Sequence, residues 1–97
     1  MRVELAAAAQ ADAEQAADWY IDHDAWEAAR ACLEELGKAL ARIGAEPGLG
    51  TPAKGGMRVL PIHRFPYSVV YRVQGDQIRV IAVAAQRRRP GFWRGRR

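Results

Sequence analysis

The stretch from Met57 to Ala85 is dense in β-branched residues: Val59, Ile62, Val69, Val70, Val73, Ile78, Val80, Ile81 and Val83. Side chains branched at Cβ suit a pleated, half-buried surface and lose rotamer freedom in a helix. Two breaks divide the run. Gly75-Asp76, set between apolar stretches, is the local signature of a hairpin turn. Pro66 interrupts the earlier stretch and places a second bend over 63–67. The pattern predicts a three-stranded antiparallel meander over 57–64, 67–73 and 77–85. What precedes it must then cover one face of that sheet.

The upstream half is built to do so. Arg2-Val3-Glu4-Leu5 alternates and predicts a short strand at the sheet edge. From Ala8 to Asp22 the chain is rich in alanine, the best helix former, with Asp12 and Glu14 early in the run. Ala9, Ala13, Ala16, Ala17, Tyr20 and Ile21 fall on one stripe. Asp24 is the expected N-cap of a second helix over 25–43. There Trp26, Ala29, Leu33, Leu36, Leu40 and Ile43 recur at helical spacing, predicting a buried face and an antiparallel helical hairpin. Gly37 points to close packing at that position, and Gly44 is placed to end the helix. The stretch 46–56 holds two prolines and four of the glycines, so it reads as an irregular crossing anchored by Leu49. The expected fold is α+β, in the order β-α-α-β-β-β with a basic C-terminal tail. All 97 residues are expected to form a single domain.

Charge divides the chain more sharply than its net value of +4 implies. Residues 1–50 carry four basic side chains against ten acidic ones, whereas residues 51–97 carry eleven against Asp76 alone. Acidic helices can neutralise part of a basic sheet, but the excess sits at the tail, which points to a polyanion or an acidic protein as partner. Residues 86–97 hold six arginines and no aliphatic side chain. The core is therefore expected to be complete by Ala85, with Trp93 the one tail residue able to fold back. A solvated end is expected at Arg96 and Arg97. No apolar run approaches a membrane span, so a cytoplasmic protein is expected.

Little supports conventional catalysis. His23, His63 and Ser68 form no nucleophilic motif, and no Cys/His cluster suggests a metal or other cofactor. Cys32 falls on the buried side of a helix and reads as a small core residue. His63 reads as an exposed polar side chain at a strand end. A metal-free ribonuclease needs cations on the phosphate and a proton carrier. Arg58, Arg72, Arg79 and Arg87 could fill the first need. For the second, Tyr67 and Tyr71 lie where apolar alternation predicts packing.

The order strand, helix, helix, loop, three strands and basic tail resembles the RelE/ParE superfamily of bacterial toxins. The resemblance spans nearly the whole chain. It is carried by Leu40 with Pro47-Gly48-Leu49-Gly50, by Gly56-Met57-Arg58, and by Phe65-Pro66-Tyr67 with Val70-Tyr71-Arg72-Val73. Ile78-Arg79-Val80-Ile81-Ala82-Val83 follows, running into Arg87, Arg88, Pro90 and Trp93. It implies a toxin held in a hetero-oligomer by a co-encoded acidic antitoxin, whose extended and helical C-terminal segment wraps it. Relatives of RelE type cut messenger RNA on the ribosome with basic sheet residues and often a C-terminal tyrosine or histidine. Those of ParE type poison DNA gyrase.

Arg72 matches a sheet arginine of the ribonuclease branch and Arg87 another, so a ribonuclease would use Arg58, Arg72 and Arg87. At the C-terminal proton-transfer position, however, stands Phe92 or Trp93. Ala85-Gln86 replaces the histidine frequent after the last strand. The resemblance therefore favours the ParE branch, with DNA gyrase as target and no cofactor. Arg87, Arg88, Arg89, Phe92, Trp93 and Arg94 are then the expected target surface, and Arg58 and Arg72 the expected antitoxin contacts. The ribosome with its message is the alternative target. A third reading is a non-catalytic nucleic-acid-binding domain, or a degenerate toxin, in which tail arginines meet phosphates and Phe92 and Trp93 stack on bases.

Overall fold

The computed structural model describes residues 1–88 and 91–96. Strand β1 (Arg2–Leu5) leads into helix α1 (Ala7–Asp22) and helix α2 (Trp26–Ala45). After the crossing come β2 (Thr51–Pro52), β3 (Arg58–Pro61), β4 (Tyr67–Gln74) and β5 (Gln77–Ala85). The sheet order is β1-β5-β4-β3-β2. β1 runs parallel to β5, and the other pairings are antiparallel. The meander, the helical hairpin and the edge position of β1 are those the sequence predicts.

The helices cover one face. Ala9, Ala13 and Ala16 of α1 and Cys32, Leu36, Ala39 and Ile43 of α2 pack against Val69, Tyr71, Ile78, Val80 and Val83. The alanines let α1 lie close to β5. Burial pushes the Cys32 thiol above its usual range, which keeps it protonated and inert, as a core residue should be.

Several local expectations fail for identifiable reasons. Trp26 and Leu33 share the helical spacing of the core residues, yet they are 65% and 46% exposed. The stripe they share is broader than the face α1 and the sheet can cover. Asp24 does not cap α2; it sits in the left-handed region at φ 57°, and Ala25 stands at the cap position without a side-chain hydrogen bond. The three-residue reversal between the helices, His23 to Ala25, turns through that left-handed residue, which aspartate tolerates. Gly37 is exposed with nothing within 4 Å of where a Cβ would stand, so no packing explains it. Gly44 lies inside α2, where a Cβ would come within 3.2 Å of the Met1 carbonyl. It makes room for the chain start, whose amino group donates to the Gly44 carbonyl at 2.8 Å.

The crossing is more ordered than its prolines and glycines suggest. Short 3-10 turns occupy Pro47–Leu49 and Lys54–Gly56, with β2 between them. Its anchor is Tyr71 more than Leu49, which is only half-buried. The fully buried Tyr71 hydroxyl donates to the Pro47 carbonyl at 2.7 Å and accepts from the Gly50 amide at 2.9 Å. A Cβ on Gly50 would stand 2.8 Å from that hydroxyl, so the backbone can approach only as glycine. β3 ends at Pro61, short of the expected 64, because Arg64 takes a left-handed conformation (φ 72°) in the bend.

The second face carries the largest correction. Met57, Val70, Ile81, Ala82 and Ala84 form a separate buried cluster on which Phe92 and Trp93 pack. Both tail aromatics are half-buried. The core is therefore not complete at Ala85: the tail is the cover of the sheet's other side.

Candidate functional site

The tail's geometry starts with an irregularity in β5. Val70 pairs with Ala82 and Tyr71 with Val80, which leaves Ile81 as a bulge residue. A bulge turns successive side chains to one side, and here both Ile81 and Ala82 join the tail-covered cluster. β1 ends opposite Val80, so the edge of β5 beyond it lacks a strand partner. Asp12 of α1 fills part of that gap, its carboxylate accepting from the Val83 amide at 3.0 Å. Arg96 donates to the same carboxylate at 2.6 Å and to the Ile81 carbonyl at 3.3 Å. The Asp12 side chain is 9% exposed and that of Arg96 26%. The expected solvated end is thus overturned at Arg96, while Arg97 lies outside the described residues.

Between the bulge and Arg96 the tail stacks on itself. The Arg88 guanidinium lies 3.9 Å from the Phe92 ring centroid and that of Arg96 5.2 Å. Phe92 meets Trp93 edge-on at 5.3 Å. Such cation–aromatic contacts fix orientation more than they add stability. Arg94 remains exposed beside Trp93, Ala53 and Lys54. Arg89 belongs to the expected target surface but lies outside the described residues.

Arg87 turns the other way, its guanidinium 5.8 Å from the Trp19 ring centroid on α1. Trp19 stacks on His23 at 4.0 Å. Trp19 and Arg87, with Tyr20, Pro66, Tyr67 and Ala85, line a groove of about 210 Å³. Burial raises the Tyr67 and Tyr20 phenols above their ordinary value, and Arg87 offsets only part of that. Neither is poised to give up a proton near neutrality.

The remaining sheet arginines separate. Arg58 pairs across the sheet with Tyr71 and so lies on the helix side. It donates to the Gly50 carbonyl at 2.8 Å and the Gly48 carbonyl at 3.3 Å, bracing the crossing. Arg72 follows Tyr71 and projects from the opposite face, directly across from Arg79. Arg58 and Arg72, the expected antitoxin contacts, therefore lie on opposite faces of the sheet. The cross-strand partner of Arg72 was within reach of the sequence: a two-residue turn at Gly75-Asp76 puts Gln74 opposite Gln77, and two steps back puts Arg72 opposite Arg79. The roles of Asp12 and Arg96 had no such signal, since 84 residues separate them. His63 is exposed, as expected. Among the described residues, no group of His, Cys, Asp and Glu could hold a metal ion, and no helix is long and apolar enough to cross a membrane.

The helical hairpin on one face of a five-stranded mixed sheet is the α+β order expected from the resemblance to the RelE/ParE class of small toxins. Within that class, residues 3–90 match the family described as ParE toxin of type II toxin-antitoxin system, parDE. The chain belongs to the ParE toxin family. It is also similar to a chain in a solved structure of the chromosomal ParDE toxin–antitoxin system from P. aeruginosa, at 25% identity and a TM-score of 0.78. That alignment covers 88% of this chain and 95% of the other. No curated protein matches.

Proposed function

We propose that this chain is a cytoplasmic ParE toxin that inhibits DNA gyrase and is held inactive by a cognate acidic antitoxin. The observation that carries the choice of target is the dispersal of the arginines a ribonuclease would need. Arg58 is occupied by loop carbonyls on the helix side, and Arg72 stands on the opposite face. Arg87 lies beyond the far end of β5, against Trp19. The six-residue step from Arg79 to Ala85 alone spans roughly 20 Å at about 3.3 Å per residue. Three cations so spread cannot close on one phosphate. Tyr71 is spent on backbone groups and Tyr67 is biased toward its neutral form.

What the arrangement offers instead is a binding surface. Arg87, Arg88 and Arg94 sit on a tail whose aromatics are seated on the sheet, so their charges are held in fixed relation. Preorganised cations around aromatic anchors suit recognition of a folded partner. The test is induced expression with two assays on the same cells. Gyrase supercoiling should fall, or cleaved DNA accumulate, while messages stay intact. Codon-phased cuts in ribosome-bound message with gyrase unaffected would contradict the proposal.

A further inference from the structure

We propose that Arg72 and Arg79 together form a seat for one carboxylate, supplied by an aspartate or glutamate side chain of the antitoxin. This rests on the toxin–antitoxin reading above and names one contact within it. The two arginines are direct cross-strand partners on the face that the helices do not cover. Like charges placed opposite each other destabilise a sheet unless something neutralises them. Among the described residues, no acidic group lies within ion-pair distance of either. Glu4 is in register with Arg79 on β1, but it pairs through one carboxylate oxygen with Arg2 at 2.7 Å and makes no ion pair with Arg79.

The second observation concerns one atom. Arg72 Nε is buried and, among the described residues, has no hydrogen-bond partner. A buried donor on a charged group left unsatisfied is costly, and such atoms in native proteins call for a ligand or a role. An incoming carboxylate can take that N–H with one oxygen and reach the neighbouring guanidinium with the other. It would also remove the repulsion between the two arginines.

A nucleic-acid phosphate is the less fitting occupant. Two arginines opposite each other grip one anion and do not track a backbone, whose affinity grows with the number of phosphates neutralised. Base stacking would need free aromatic faces. The nearest tail aromatics are packed on the sheet, with Phe92 additionally faced by Arg88 and Arg96.

The experiment follows arginine Nε–H resonances of the full chain while it is titrated with a glutamate decapeptide, a ten-residue oligothymidylate or inorganic phosphate. The proposal expects the peptide to shift the Arg72 and Arg79 signals saturably and to slow exchange of the Arg72 proton. Arg72→Gln or Arg79→Gln should weaken that response at least tenfold, leaving shifts at Arg87, Arg88 and Arg94 in place. Each single variant should unfold at the same or a higher temperature, since it removes repulsion; a lower temperature would mean a structural role and overturn the proposal. Stronger response of these two signals to the oligonucleotide would assign the seat to nucleic acid, and no response to any probe would abolish it. The peptide needs no antitoxin, so the seat can pass this test even if the toxin–antitoxin reading fails. Conversely, antitoxin affinity undiminished in both variants would reject this contact alone.

Discussion

The two faces of the sheet are closed in different ways. On the helix side, Val69, Tyr71, Ile78 and Val80 meet alanines, Leu36 and Ile43, and the buried Tyr71 hydroxyl is spent on backbone groups. On the tail side, two half-buried aromatics lie over a smaller cluster, tied by the ion pair between Arg96 and Asp12, and Arg72 Nε on that face has no hydrogen-bond partner among the described residues. Apolar burial scales with area removed from water and is cooperative across a packed face. A short arginine-rich segment gains far less from it and depends on a few directional contacts. The helix side therefore sets the stability of the fold, and the tail side is an attached surface that can be altered without dismantling it.

The largest expected difference comes from cutting into each face in turn. Ile43→Ala, at a fully buried position, should destabilise by about 2–5 kcal/mol, whereas Trp93→Ala should cost only about 1–2 kcal/mol because part of its surface is already exposed. Denaturant unfolding of both variants measures this directly. Equal losses would erase the distinction between the faces.

A smaller effect probes the tie between them. Asp12→Ala removes the acceptor of both the Val83 amide and Arg96, and should cost about 1.5–3 kcal/mol. Arg96→Ala should cost less, since Asp12 keeps its bond to Val83. A double-mutant cycle between them should return a coupling of about 1 kcal/mol. A coupling of zero would mean that the tail is held by its aromatics alone.

The smallest effect is expected on the outer face of α2. Trp26→Ser and Leu33→Gln should each change stability by no more than about 0.5 kcal/mol, because those side chains are largely in water. A larger loss would show that the hairpin buries a surface the present packing does not include.

How much of this was legible depends on how local the cause is. β5 and its turn follow from β-branched residues flanked by Gly75-Asp76, and α2 from spacing, because both signals lie within a dozen residues. Trp26 and Leu33 obey the same periodicity as Ile43, and only the width of the neighbouring layer decides which of them is buried. The crossing looked irregular because its order comes from Tyr71, 21 residues beyond Gly50. The tail was misread for a related reason. Composition records that 86–97 lacks aliphatic residues, but not that a bulge at Ile81 opens an apolar patch for Phe92 and Trp93. Of the candidate site, the residue types were legible. Their grouping was legible only in part: the Gly75-Asp76 turn already sets Arg72 opposite Arg79, whereas the separation of Arg58 from Arg72 depends on how β3 pairs with β4.

If the helix-covered core carries the fold while the tail acts on the target, the two roles separate in a chain ending at Pro90, compared with the full chain by thermal unfolding, antitoxin binding and gyrase supercoiling. The expected result is a cooperative transition at reduced temperature, a stability loss of about 1–3 kcal/mol from uncovering the second cluster, retained antitoxin binding and loss of most gyrase inhibition. Full inhibition by the shortened chain would place the active surface elsewhere, and loss of cooperative unfolding would make the tail part of the core.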